Sequence, residues 1–177
     1  MKRVFVNGYG SIGSRISQFI AGDSDVEVVG VGKYSPDEKV NDVISRGFKV
    51  YVPKNKIEQF KNFKISGAIE EAVEKCDLVI DATPGGQGYT NKKQLYEPKH
   101  LSAIFQGGET IIGDKAVAEL IFNSRVNYKD AFDKKYVMQG SCNVTGMGRI
   151  LQPLKEKYGS RIKRFDATLL RRWADLE

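Results

Sequence analysis

Val4-Phe5-Val6-Asn7-Gly8-Tyr9-Gly10-Ser11-Ile12-Gly13 is the stretch that decides the fold. It opens on a short apolar run, typical of a buried strand, which then breaks into glycines. Beyond the break, Ile12, Ile16, Phe19 and Ile20 recur at helical spacing through residues 12–21. Residues 26–31, VEVVGV, form a second strand-like run. The chain therefore begins strand, glycine turn, helix, strand, which is a βαβ unit.

The alternation continues. Strands are predicted over residues 48–52, 78–81, 103–105 and 136–139. Helical segments are predicted over 56–63, 69–75 and 91–100, the last broken by Pro98, and from Cys142 to about Tyr158. Residues 162–173 begin as a strand. Strands alternating with helices predict an α/β protein with a doubly wound, mostly parallel sheet of Rossmann type. Residues 1–140 read as that domain, and 141–177 as the start of a second, truncated domain.

Composition narrows the class. No apolar run approaches the length of a membrane span. The opening MKRVFVNG reads as a strand start and not as a signal peptide. Two cysteines are too few for a disulfide framework and suit a reducing, cytoplasmic setting. The formal charge of +6 raises the question of nucleic acid. The lysines are spread along the chain without a block of like charge, so a solvated surface or small phosphorylated ligands fit better. No metal is expected.

Gly8, Gly10 and Gly13 fit G-x-G-x-x-G in the context that motif requires, between a strand and a helix. Gly8 permits a tight turn, Gly10 lets a pyrophosphate approach the backbone, and Gly13 lets the helix pack closely on the sheet. The helix N-terminus then offers N–H groups to the phosphates. The end of the second strand bears on the cofactor. An NAD-binding unit usually places a carboxylate there for the ribose 2′-hydroxyl. Here the chain reads Val31-Gly32-Lys33-Tyr34-Ser35, with no carboxylate before Asp37. Lys33, with Ser35 as a further donor, suits a 2′-phosphate. NADP is the expected cofactor, with NAD also accepted.

Cys76 follows a polar helix and reads as structural. Cys142 lies at a strand-to-helix junction in Ser141-Cys142-Asn143-Val144-Thr145. A thiol at the positive end of a helix dipole suits attack on an aldehyde carbonyl. From the residues alone, the reading that comes first is a buried structural cysteine, with the catalytic thiol as the alternative. His100, the single histidine, reads as a surface residue just before the strand at 103–105.

Several segments together resemble one family. They are VNGYGSIGSRI, VGVGKYSPD, VIDATPGG, AIFQGGE, GSCNVT and the terminal LLRRWAD. Their order and spacing resemble the archaeal-type phosphorylating glyceraldehyde-3-phosphate dehydrogenases along essentially the whole chain. The resemblance implies that Cys142 is the acylated nucleophile, with Ser141 and Asn143 beside the substrate. It implies that Ser11 and Ile12 contact cofactor phosphates and that Lys33 lies near the adenosine ribose. Thr83 and Pro84 would line the cofactor cleft, with Gly107 and Gly108 beneath the nicotinamide side. Arg171, with Arg172, would point at the cofactor or the substrate phosphate. The implied substrates are glyceraldehyde 3-phosphate and phosphate.

The family is about twice as long, and its second half supplies the catalytic histidine and the tetramer contacts. By the resemblance, this chain alone is expected to be slow or inactive. Gly146 replaces the family's second threonine after SCN, at a cost of roughly 1 kcal/mol to the first helical turn. Phe165, Leu169, Leu170 and Trp173 would form an apolar patch and favour self-association. Two other functions remain open from sequence: a non-catalytic dinucleotide-binding module, and an interaction protein with a basic surface.

Overall fold

In a computed structural model that describes residues 1–106 and 108–170, the opening apolar run is the strand β1, Lys2–Asn7. Phe5 and Val6 are both fully buried yet point to opposite faces of the sheet, each into a separate apolar cluster. A strand covered on both faces reads as a continuous apolar run, and this one does. Ile16 and Ile20 of α1, Ser11–Ile20, pack on the Val6 side, together with Val40 and Val43 of α2, Lys39–Ser45. On the Phe5 side lie α3, Ile69–Ala72, and the helical segment that starts with α4, Gln87–Asn91. That segment runs on through a π-turn, Lys92–Tyr96, and a 3-10 turn, Glu97–Lys99.

The remaining strands are β2, Val26–Gly32; β3, Val50–Val52; β4, Gly67–Ala68; β5, Leu78–Asp81; β6, Ser102–Phe105; β7, Leu120–Phe122; and β8, Tyr136–Gln139. Their order is β4-β3-β2-β1-β5-β6-β8-β7, and every pairing is parallel. The chain winds outward from β1 to β4, then returns to place β5 on the other side of β1. The carboxyl ends of β1 and β5 are therefore the switch point of a doubly wound sheet, where such folds open a crevice. A last helix, α5, Cys142–Tyr158, starts directly after β8.

The expected α/β architecture is the observed one. β4, β7 and α2 are not expected from the sequence, and neither are the short 3-10 turns Tyr128–Ala131 and Gly159–Arg161. The strand expected over 162–173 is not formed within 162–170, where every residue is exposed. A strand exists through its ladder bonds, and no described strand lies beside this stretch. The rest of that range, with Arg171, Arg172 and Trp173, lies outside the described residues. Among the described residues, no helix is long and apolar enough to cross a membrane.

A buried polar network ties the switch point together. Asp81, at the end of β5, accepts from Thr83 N at 3.0 Å and Thr83 Oγ1 at 2.6 Å. Its other oxygen accepts from Asn91 Nδ2 at 2.9 Å and from the Tyr96 hydroxyl at 2.6 Å. The Tyr96 hydroxyl oxygen (Oη) in turn accepts from Asn7 Nδ2 at 2.7 Å, and Asn7 Oδ1 accepts from the Tyr34 hydroxyl at 3.0 Å. Burial first, and then the Asp81 charge and hydrogen bond, hold the Tyr96 phenol well above its ordinary pKa, so it stays a neutral donor. Tyr96→Phe removes one donor from Asp81 and the acceptor of Asn7 Nδ2. It is expected to cost about 1–3 kcal/mol, read as a lower urea midpoint at unchanged slope.

Candidate functional site

The glycine turn makes the first wall of the site. Gly8 has φ +109°, a conformation that side-chain-bearing residues rarely adopt, and a Cβ there would come within 2.7 Å of the Ala82 backbone. A Cβ on Gly13 would overlap the Gly8 carbonyl oxygen. That contact lets α1 start directly against the turn. Gly10 is different. It precedes α1 in extended conformation, and nothing lies within 4 Å of where its Cβ would be. No side chain caps α1, and its first turn carries no acidic residue, so its amino end faces the crevice uncapped.

The crevice is a cleft of about 420 Å³. It brings together Gly8, Gly10, Ser11 and Ile12 from the turn, Lys33 and Ser35 from the end of β2, and Thr83 and Pro84 from the end of β5. All eight were candidates from sequence, and they share one cavity. Gly13 lies beneath the turn and supports it. Tyr34 forms part of the cleft wall and also part of a second cavity of about 630 Å³, which Lys54, Glu70, Gln87 and Gln94 help to line. Lys56 Nζ holds the Tyr34 carbonyl at 3.0 Å.

Two glycine loops meet at the far side. A Cβ on Gly85 would lie 2.8 Å from Gly108 O, so the loop after β5 and the loop after β6 touch backbone to backbone. Glu109 fastens them, accepting from Gly88 N at 2.8 Å. Gly108 thus supports Pro84-Gly85 and does not line the cleft. Gly107 lies outside the described residues.

Cys142 is the first residue of α5 and is exposed, which overturns the buried reading. Ser141 is the N-cap, its Oγ accepting from Val144 N at 3.3 Å. Asn143 is half-buried beside it. Gln139 Nε2 donates to Thr145 Oγ1 at 2.7 Å, and Thr145 Oγ1 donates to Gly140 O at 3.2 Å. Asn123 Nδ2 adds a bond to Thr145 O at 3.3 Å. These contacts fix the turn between β8 and α5 and so the direction of the thiol. Thr145 could have been singled out, because it sits one helical turn after the cap; Asn123 carries no local signal.

Both the cleft and the thiol lie on the carboxyl edge of the sheet. β8 is three strands from β1, which is about 14 Å at ordinary strand spacing. His100 precedes β6 and is exposed, so it lies at the opposite edge from Cys142. Cys76 is buried, with Sγ against Val73 O at 3.6 Å, and burial pushes its thiol up to about 11. Among the described residues there is no cluster of His, Cys, Asp and Glu able to hold a metal.

No family model matches the chain. Sequence relatives do match. The glyceraldehyde-3-phosphate dehydrogenase of Thermoplasma volcanium is 41% identical over 178 residues, which is 99% of this chain and 50% of that protein. The enzyme of the same name from Hyperthermus butylicus is 43% identical over 176 residues, 98% of this chain and 49% of that protein. This chain is similar along nearly its whole length to these archaeal glyceraldehyde-3-phosphate dehydrogenases. It spans about half the length of the curated relatives it matches. Among solved structures, an aspartate semialdehyde dehydrogenase with NADP from Candida albicans superposes with a TM-score of 0.58 at 17% identity. That match covers 90% of this chain and 48% of the other, and at this identity it speaks for the fold alone.

The two thiols are expected to react differently. Iodoacetamide at neutral pH should alkylate Cys142 and leave Cys76 intact, the latter gaining label only as pH approaches about 11. Peptide mass mapping reads both sites, and Cys142→Ser should remove the neutral-pH adduct.

Proposed function

We propose that this chain is the dinucleotide-binding half of an NAD(P)-dependent, phosphorylating glyceraldehyde-3-phosphate dehydrogenase. One observation carries the reading. A bare glycine backbone and an uncapped helix N-terminus open into the same cleft as Lys33, on the carboxyl edge that also bears Cys142. The relatives' shared name supports the reaction class.

The cleft fits a dinucleotide. Gly10 leaves room for a pyrophosphate, which Ser11 and Ile12 would receive at the amino end of α1. Lys33 and Ser35 would meet the adenosine ribose, with the base toward the cavity beyond Tyr34. Thr83 and Pro84 would flank the chain of the cofactor, and Gly107 and Gly108 would lie under its nicotinamide side. NADP would be accepted, and NAD as well. Bound there, the cofactor supplies a hydride acceptor.

Cys142 would add its sulfur to the aldehyde carbon. Once hydride has left that carbon, it would remain on the sulfur as a thioester, which phosphate would cleave. Ser141 and Asn143 would orient the substrate, with Arg171 and Arg172 on its phosphate or on the cofactor. His100 lies at the edge of the sheet opposite Cys142 and would not serve as base; by the resemblance, that role would fall to a histidine in the length of the relatives that this chain does not span. Residues 1–140 would be the cofactor domain and 141–177 the opening of the catalytic one. On this reading the chain by itself turns over slowly or not at all.

Calorimetric titration of the purified chain with NADP and then NAD tests the reading. Binding of either is expected, and binding of neither would overturn it. Gly10→Ala should leave the melting temperature unchanged and lower the affinity about tenfold or more, equivalent to about 1.4 kcal/mol or more.

The apolar residues after α5 carry a second expectation. Phe165, Leu169 and Leu170 are exposed, Leu170 almost completely. Such a patch favours self-association, so sedimentation should show a dimer or larger species. A clean monomer at high concentration would count against it.

A further inference from the structure

Lys33 does not stand in the cleft as an unpaired cation. Its Nζ donates to both oxygens of Asp37, at 2.7 and 2.9 Å. The pair is lopsided: the Lys33 side chain is 6% exposed and the Asp37 side chain 48%. The buried cation is therefore covered, on the cleft side, by a carboxylate. Asp37 Oδ1 also accepts from Lys39 N at 3.0 Å, which closes the turn leading into α2. Burial works against the Asp37 charge, but the Lys33 bond and charge and the Lys39 N–H outweigh it, so Asp37 stays ionised well below neutral pH. Lys39 lines the same cleft, and no ion pair involves it among the described residues.

Two consequences follow for an adenosine ribose beside Lys33. A 2′-hydroxyl meets a carboxylate that can accept its hydrogen bond, as an acidic residue does in NAD-binding folds. A 2′-phosphate meets the same carboxylate as a like charge, and it must also compete for an ammonium two of whose three donors already go to Asp37.

We propose that Asp37 limits the preference of this chain for NADP by holding Lys33 where a 2′-phosphate would otherwise take it. The choice between the two cofactors is then set by a pair of residues four apart, and not by the lysine alone. Lys39, on the rim, is the cation that remains to attract the phosphate. This inference rests on the proposed dinucleotide site.

The test is calorimetric titration of Asp37→Asn with NADP and with NAD, beside the parent. Asparagine keeps the shape and one acceptor for Lys33 but removes the charge. NADP affinity should rise about tenfold, the scale of one removed like charge at partial solvent exposure. NAD affinity should stay within about threefold or fall. Unchanged or weaker NADP binding by the variant would overturn the proposal while leaving the dinucleotide site intact. Parent protein that binds neither cofactor would overturn the site itself, and this inference with it. Asp37→Ser, also at a half-exposed position, is the second variant should the first fail to fold, and it reads the same way.

Discussion

The Asp81 carboxylate accepts four hydrogen bonds in a place that excludes water, and the donors that hold it are all neutral. A buried anion is tolerated only when such donors replace its hydration. Each of them therefore has to stay in position. Thr83 belongs to the loop after β5, Asn91 to the end of α4, and Tyr96 to the turn beyond it. Through Asn7 and Tyr34 the same network reaches the ends of β1 and β2. One carboxylate thus sets the relative positions of three strand ends and the helical segment behind them. The glycine turn depends on it, because Gly8 fits only while Ala82 lies where this network puts it.

That network was not legible in the sequence. Asn7 and Tyr96 are 89 positions apart, and Asp81 looks like a residue entering a turn. Polar residues at strand ends have no period, and their value appears only when distant segments meet. The opposite holds for β1, the turn and α1. Their apolar spacing and glycines act locally, so the fold class and the glycine turn could be read directly. β4 and β7 fail for a third reason. With two and three residues they have no pattern of their own and become strands by pairing with β3 and β8. Residues 162–170 show the converse: a strand-like composition without a partner strand stays irregular. Asn123, which steadies the first turn of α5, is of the same long-range kind as Asn7.

The thiol and the cleft illustrate how a parallel sheet distributes a site. In this topology every strand delivers its loop to the same edge. Residues as far apart in sequence as Gly10 and Cys142 thus reach one face without any contact between them. Sequence could locate Cys142 at a strand-to-helix junction, since SCN follows an apolar run at once. It could not decide exposure. Exposure depends on how β8 lies between β6 and β7 and on what covers the junction. Gly140 and Gly148 allow the close fit there: a Cβ on Gly140 would crowd Val144, and one on Gly148 would meet the Asn123 amide. Small residues are needed around the cysteine because the turn that presents it is tight.

Charge is the place where counting residues and seeing them paired differ most. By count, Lys33 is a cation at a strand end with no acidic neighbour in the usual position. In space, Asp37 reaches back across one turn and covers it, because Ser35 O caps the Asp37 N–H at 3.0 Å and folds the segment on itself. The carboxylate that the second strand lacks at its tip is thus delivered from four residues further on. A motif search keyed to strand position records it as missing. The physics of recognition depends on where the charge stands and what it already holds, and here an anion standing in the cleft already holds the cation.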